Sequence, residues 1–221
     1  MRQPVSTCDM PPRAPLGPAL MPRIKQRTPE LRERMLEAAV ELLADQGAAG
    51  LTARGVADRA GTSAPALYEL FGDKSGLVRE LYFEGFRRLA DVVAGLPEAP
   101  DPVADLWVLA AEYRRFVRDN RTLAEIMFSR PFRDFSPGPE EMVATGSVRT
   151  SVVGRVRRCI DAGLLRGDET DVAHVFVATI EGMAFAEAAG RLGTSTESVE
   201  RRWRLAVSAV LNGLRVPAGG N

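Results

Sequence analysis

Arg54, Ser63, Tyr68 and Lys74 lie close together in a chain of 221 residues, and each side chain can donate a hydrogen bond to a phosphate oxygen. Thr52 opens this group, and Thr62, Ala64, Pro65 and Ala66 fall inside it. Small side chains let a helix backbone come close to the floor of a DNA groove, where Ala64, Pro65 or Ala66 could meet a thymine methyl. A cation at a helix start opposes the helix dipole, and a neighbouring phosphate would offset that cost at Lys74. Blander readings stand beside these. Arg54 can pair with Asp58 four residues on. Tyr68 can be the amphipathic edge of a core, and Lys74 a solvated charge.

The elements that would position these groups are short helices with clear ends. Thr28 and Pro29 start a first helix, with Met35, Ala38, Ala39, Leu42 and Leu43 inward, and Gly47 stops it. Thr52 caps a second helix that ends at Gly61, with Val56 and Ala57 turned inward. Ser63 caps a third, with Pro65 in its first turn and Leu67 and Phe71 inward. Asp73 caps a fourth that runs to about Gly95. Two short helices joined by a glycine turn form the hairpin that lays its second helix into a major groove. The exposed face of that helix is expected to offer Thr62, Ser63, Ala64, Ala66 and Glu69.

Residues 32–77 resemble the N-terminal domain of TetR-family transcriptional regulators. The fixed points are Ala38-Ala39, Gly47, Thr52 and Arg54, Ala60-Gly61, Ser63, Leu67-Tyr68, Phe71, Lys74 and Leu77. Three positions depart from the pattern: Thr62 where Val is usual, Pro65 where Gly is common and Leu70 where His is frequent. The resemblance implies DNA contacts from Thr52, Arg54, Thr62, Ser63, Ala64, Pro65, Ala66, Tyr68 and Lys74. It also implies an all-α fold, with a C-terminal helical domain that binds a small apolar ligand and dimerises. The segment 180–190 resembles the tryptophan-histidine-glycine subclass of such C-terminal domains, with Glu181 where the histidine would stand.

Composition narrows the alternatives. The formal net charge is zero, so the chain is no polycation, but residues 1–28 carry five basic groups against Asp9 alone. Two distant cysteines, Cys8 and Cys159, make a disulfide framework or thiolate metal site improbable, and the single histidine, His174, makes a His-dependent nucleophile improbable. No metal or cofactor is expected. Prolines at 11, 12, 15 and 18 break any leader-like run, and His174, Glu181 and Glu187 interrupt the longest apolar stretch, so a cytoplasmic protein is expected. There is no phosphate-cradling glycine loop and no nucleophile elbow.

Three regions are expected: a disordered basic arm over 1–27, a DNA-binding domain over 28–89 with its hairpin at 52–71, and a ligand-binding and dimerisation domain over 90–221. Arg23, Lys25 and Arg27 on the arm could reach a minor groove or do nothing. Helices are expected at about 102–119, 121–128, 139–163, 170–190 and 196–214. Trp107, Tyr113, Phe116, Met127, Phe128, His174, Phe176, Glu181 and Met183 are the cavity candidates. Ala178, Gly182, Ala186 and Ala189, with Ala206, Val207, Val210, Leu211 and Leu214, form two stripes for a four-helix dimer contact. A two-fold dimer calls for a palindromic operator with half-sites roughly 34 Å apart, or a multiple of that. The expected activity is transcriptional repression relieved by a small apolar ligand. The alternatives are a helical small-molecule-binding protein or enzyme in which the hairpin is only scaffold, and a regulator controlled by a partner protein.

Overall fold

The computed structural model describes residues 28–129 and 138–217, and among them the regular structure is helical. The first four helices form where local signals place them. Helix α1 (Pro29–Gly50) starts with the Thr28 hydroxyl accepting from the Leu31 amide, and Gly47 (φ 68°) breaks its regular path four residues before Leu51. A positive φ costs glycine nothing, which is why the chain turns there. Helix α2 (Ala53–Arg59) is capped by Thr52, whose Oγ1 accepts from the Gly55 amide at 3.1 Å. At Gly61 (φ 67°) the Thr62 amide reaches back to the Ala57 carbonyl at 2.8 Å, a helix-ending closure that satisfies an orphan carbonyl. Helix α3 (Ala64–Phe71) follows, with Ser63 at its N-cap position but without the expected capping hydrogen bond to its side chain, and then α4 (Lys74–Ala94), capped by Asp73, which accepts from the Gly76 amide at 2.8 Å.

Met35, Ala39, Leu42, Val56, Leu67, Phe71, Leu77 and Leu81 close a core between these four helices. Helix α4 continues unbroken through the expected boundary at residues 89–90, so the two halves share one helix. At about 1.5 Å per residue its 21 residues make a rod of roughly 30 Å.

The second half consists of α5 (Pro102–Asp119), α6 (Arg121–Ala124) continued as a π-helical turn (Glu125–Ser129), α7 (Pro139–Ala144), α8 (Gly146–Asp161), α9 (Glu169–Ala188) and α10 (Thr196–Gly213). The single helix expected over 139–163 is thus two helices, separated at Thr145. Helices α5, α8 and α9 pack on one another, α10 covers α9, and the far end of α4 lies against α5, α7, α8 and the π turn. Gly85 makes the last of these contacts possible, because a Cβ there would collide with the Met127 sulfur. One antiparallel bridge, Leu165 to Arg215, ties the segment after α10 to the α8–α9 connection. The expected basic arm at 1–27 lies outside the described residues.

Candidate nucleic-acid interface and C-terminal cavity

The helix hairpin brings the expected DNA-contacting residues onto one end of the molecule, with one exception. Thr52, Arg54, Pro65 and Lys74 are exposed, Thr62, Ser63 and Ala64 are half-buried, and the Tyr68 ring is 52% exposed. Ala66 is different. It is 3% exposed and packs in the core, because it shares the inward stripe of α3 with Leu67, Leu70 and Phe71. It is therefore withdrawn from the set. Arg54 lies 3.7 Å from Asp58 with both side chains largely in solvent, so the pairing and DNA contact remain compatible. Arg59 had no expected role. It pairs with Asp45 at 2.8 Å and fixes α2 against α1.

A cavity of about 200 Å³ opens in the second half. Phe86 and Leu89 of α4 line it, together with Tyr113 of α5 and Phe128 of the π turn. Thr145, Val148, Arg149 and Val152 come from the start of α8, and Ala173, His174 and Val177 from α9. Of the nine expected cavity residues, Tyr113, Phe128 and His174 are there. Phe116 and Phe176 are core, at 4% and 1% exposure. Met127 packs on Gly85, and Met183 packs half-buried on the core. Trp107 lines a separate surface cleft with Arg114 and Trp203, where the Arg114 guanidinium sits 4.9 Å from the Trp203 ring centre. Glu181 stands behind the cavity and accepts the Tyr113 hydroxyl at 3.3 Å. Burial raises the Tyr113 phenol well above its ordinary value, and the Glu181 charge adds to this. Burial also raises the Glu181 carboxyl, against the opposing hydrogen bond from Tyr113. Phe128 joins the aromatic wall, 5.6 Å from Phe86 and 5.9 Å from Phe185.

Sequence reasoning missed a buried ionic clamp on the α4–α5 connection. Asp105 of α5 is 0% exposed. It accepts from the Ala99 amide at 2.7 Å, lies 2.9 Å from Arg155 Nη1, and pairs with Arg158. Arg155 also donates to the Leu96 carbonyl at 2.7 Å and Arg158 to the Ala99 carbonyl at 2.9 Å. Helix α8 therefore lines the cavity at its start and grips the α4–α5 connection at its finish. A signal was present: Asp105 stands on the inward stripe of α5 with Leu106, Leu109 and Tyr113. Beside the clamp the Cys159 thiol donates to the Pro102 carbonyl, and burial pushes its pKa up to about 11.

The two stripes expected to form a dimer contact divide. On α9, Ala178, Gly182 and Ala189 are exposed beside Val175, which is 52% exposed, and Ala186 is half-buried. On α10, Val207 and Leu211 are core, at 0% and 2% exposure, and Leu205 at 67% is the apolar residue that faces outward. The inward face of α10, with Trp203, Val207 and Leu211, packs on α9 and the core, while Ala206, Val210 and Leu214 of the expected stripe are half-buried. No helix among the described residues is long and apolar enough to cross a membrane.

The chain matches two family descriptions that fall on the two halves. Residues 35–81 match "Bacterial regulatory proteins, tetR family", and residues 106–210 match "Tetracyclin repressor-like, C-terminal domain". Among curated proteins it is similar to the HTH-type transcriptional regulator Rv1816 of Mycobacterium tuberculosis (strain ATCC 25618 / H37Rv). Identity is 28% over 144 residues, covering 63% of this chain and 59% of that protein. The chain thus spans less than two thirds of the curated relative's length. Among solved structures it is similar to a protein of unknown function from Rhodococcus sp. RHA1, at TM-score 0.72 and 26% identity, covering 88% of this chain and 100% of that one. It shares its fold with the TetR family transcriptional regulator PfmR from Thermus thermophilus, at TM-score 0.64 and 20% identity, covering 81% and 97%.

Proposed function

The chain belongs to the TetR family of bacterial regulatory proteins, and from that premise we propose that it is a dimeric, DNA-binding transcriptional repressor released by a small ligand in its C-terminal cavity. One observation carries this reading. Helix α4 begins at Lys74, with only Gly72 and Asp73 between it and the exposed helix hairpin, and its Phe86 and Leu89 line the cavity. A ligand that prefers one position of α4 over another must shift the hairpin with it, by no more than its difference in affinity for the two positions. The N-terminal half of α3 would enter the major groove. Ser63, Tyr68, Lys74 and Arg54 would hold phosphates, and Thr62, Ala64 and Pro65 would meet base edges. Thr52 would help seat the start of α2 on the backbone.

Dimerisation would use the outward face of α9, where Val175, Ala178, Gly182 and Ala189 allow close helix approach, together with Leu205 of α10. Two copies related by a two-fold axis would read a palindrome. The reading contains no catalytic step.

Selection of bound duplexes from a random pool tests it. The expected product is a palindrome whose affinity falls steeply between about 50 and 200 mM salt. Recovery of no preferred duplex, or a response to salt that is flat, would return the hairpin to a purely structural role.

A further inference from the structure

We propose that the cavity takes a small amphipathic carboxylate, its hydrocarbon body inward and its acid head at the mouth beside Arg149 and His174. The proposal rests on the cavity being the sensory site and goes beyond a merely apolar ligand. The inner wall is hydrocarbon: Phe86, Leu89, Val152 and Ala173 are all buried. The one polar atom set deep, the Tyr113 hydroxyl, already gives its proton to Glu181. The mouth is different, because Arg149 and His174 are both exposed and come from two separate helices, α8 and α9. No acidic residue occurs among the described residues that line the cavity.

Arg149 also differs from its neighbours on the same helix. Arg155 and Arg158 are paired with Asp105, and Arg157 with Glu169. Among the described residues Arg149 has no carboxylate partner. His174 Nδ1 lies 2.7 Å from the Thr170 carbonyl, to which it must donate, so Nε2 is the nitrogen left for a ligand. One fixed cation, the Arg149 guanidinium, over a hydrocarbon cup fits a head and tail of those two characters, and His174 Nε2 adds a donor there only when the ring carries both its protons. At about 200 Å³ the cavity lies below the size of drug-sized ligand pockets and suits a short aliphatic or aryl acid.

Octanoate is the probe, with octanol and octylamine as matched controls, titrated calorimetrically into the full-length protein. The expected result is binding of octanoate at least tenfold tighter than octanol, with octylamine weakest. Arg149→Gln should lose about tenfold for octanoate and leave octanol unchanged, and Arg149→Glu should move the preference to octylamine. Arg149 is exposed, so these variants leave the core intact. Equal binding of octanoate and octanol, an unchanged Arg149→Gln variant, or no binding by any of the three overturns the proposal. Release of the selected duplex is measured separately. Arg149-dependent octanoate binding that leaves duplex affinity unchanged supports the ligand class while refuting the sensory reading.

Discussion

The hairpin end and the cavity end of this chain handle polar groups in opposite ways. In the hairpin they sit at the surface, and Thr52 and Asp73 each cap an amide three residues away. The Arg54–Asp58 pair stands almost wholly in water. In the second half the linking polar groups are buried or half-buried and matched over long sequence distances. Tyr113 meets Glu181, Arg114 meets Glu187 and Glu200, and Asp105 meets Arg155 and Arg158. A surface built from local parts can exchange its contact residues with little structural consequence. A cavity framed by buried long-range pairs cannot, because each partner left behind is a desolvated charge.

The sharpest test of that contrast removes one carboxylate from each end. Asp105→Ala leaves Arg155 buried without its partner and should cost about 3–5 kcal/mol. For a chain of this size that lowers Tm by roughly 6–20 °C. Asp58→Ala removes an exposed pair and should cost about 0–1 kcal/mol. Thermal unfolding of both variants by circular dichroism decides it. Equal losses at the two sites would break the contrast.

A second pair of changes asks whether the hairpin surface is as separable as it looks. Tyr68→Phe and Lys74→Ala should leave stability, read from Tm, within about 0.5 kcal/mol, as is typical of surface changes. Each should weaken binding to the selected duplex by about tenfold, the low end of a hydrogen bond to a charged group. Lys74→Ala should also lower the slope of log K against log salt by about 0.9. Titrations of fluorescent duplex at several salt concentrations read both quantities. Unchanged affinity with a lowered Tm would make Tyr68 and Lys74 structural residues of the hairpin.

The same contrast explains what could be read from the sequence. Every boundary in the first half depends on residues within a few positions of one another: Thr28 with Pro29, Thr52 with Gly55, Gly61 with Thr62, and Asp73 with Gly76. The cavity wall draws on residues from Phe86 to Val177 across several helices, and no short-range pattern marks it. Apolar periodicity cannot tell a core residue such as Phe176 from a cavity residue such as Val177, one position further along the same helix. Phe86 and Leu89 fall on the hairpin side of the expected domain boundary, although the fourth helix, expected to run to about Gly95, crosses that boundary and serves both ends. Ala66 departs from its expected place for a smaller reason: on a helix of eight residues, a one-residue rotation decides which side faces the groove. The Asp105 clamp is legible in part, as an acid on the inward stripe of α5, but its arginines lie some fifty residues away.

The finest distinction between the two ends is the pH dependence of single carboxylates. Glu30, on the surface at the start of α1, is held below its ordinary value chiefly by the Thr28 hydroxyl. Its charge therefore favours the folded chain above the ordinary value, and that contribution is lost as pH falls through the lowered one. Glu181 behaves in the opposite sense. Burial holds its carboxyl above the ordinary 4.5, so the folded chain binds more protons than the unfolded chain between the ordinary and the raised values. Stability is lost as pH rises through that window, and the penalty is complete above it. Glu181→Gln stays neutral throughout, and its amide oxygen can still accept the Tyr113 hydroxyl. The variant should be slightly more stable than the parent near pH 7, and the gain should disappear below about pH 4.5. Glu30→Gln should be slightly less stable near neutral pH and converge with the parent in acid. Urea unfolding of both variants across this range gives opposite signs if the Thr28 hydroxyl sets the behaviour of Glu30 and burial that of Glu181. A Glu181→Gln variant that is less stable at neutral pH would show that the ionised carboxylate is favoured behind Tyr113, and that the second half tolerates buried charge as readily as the surface does.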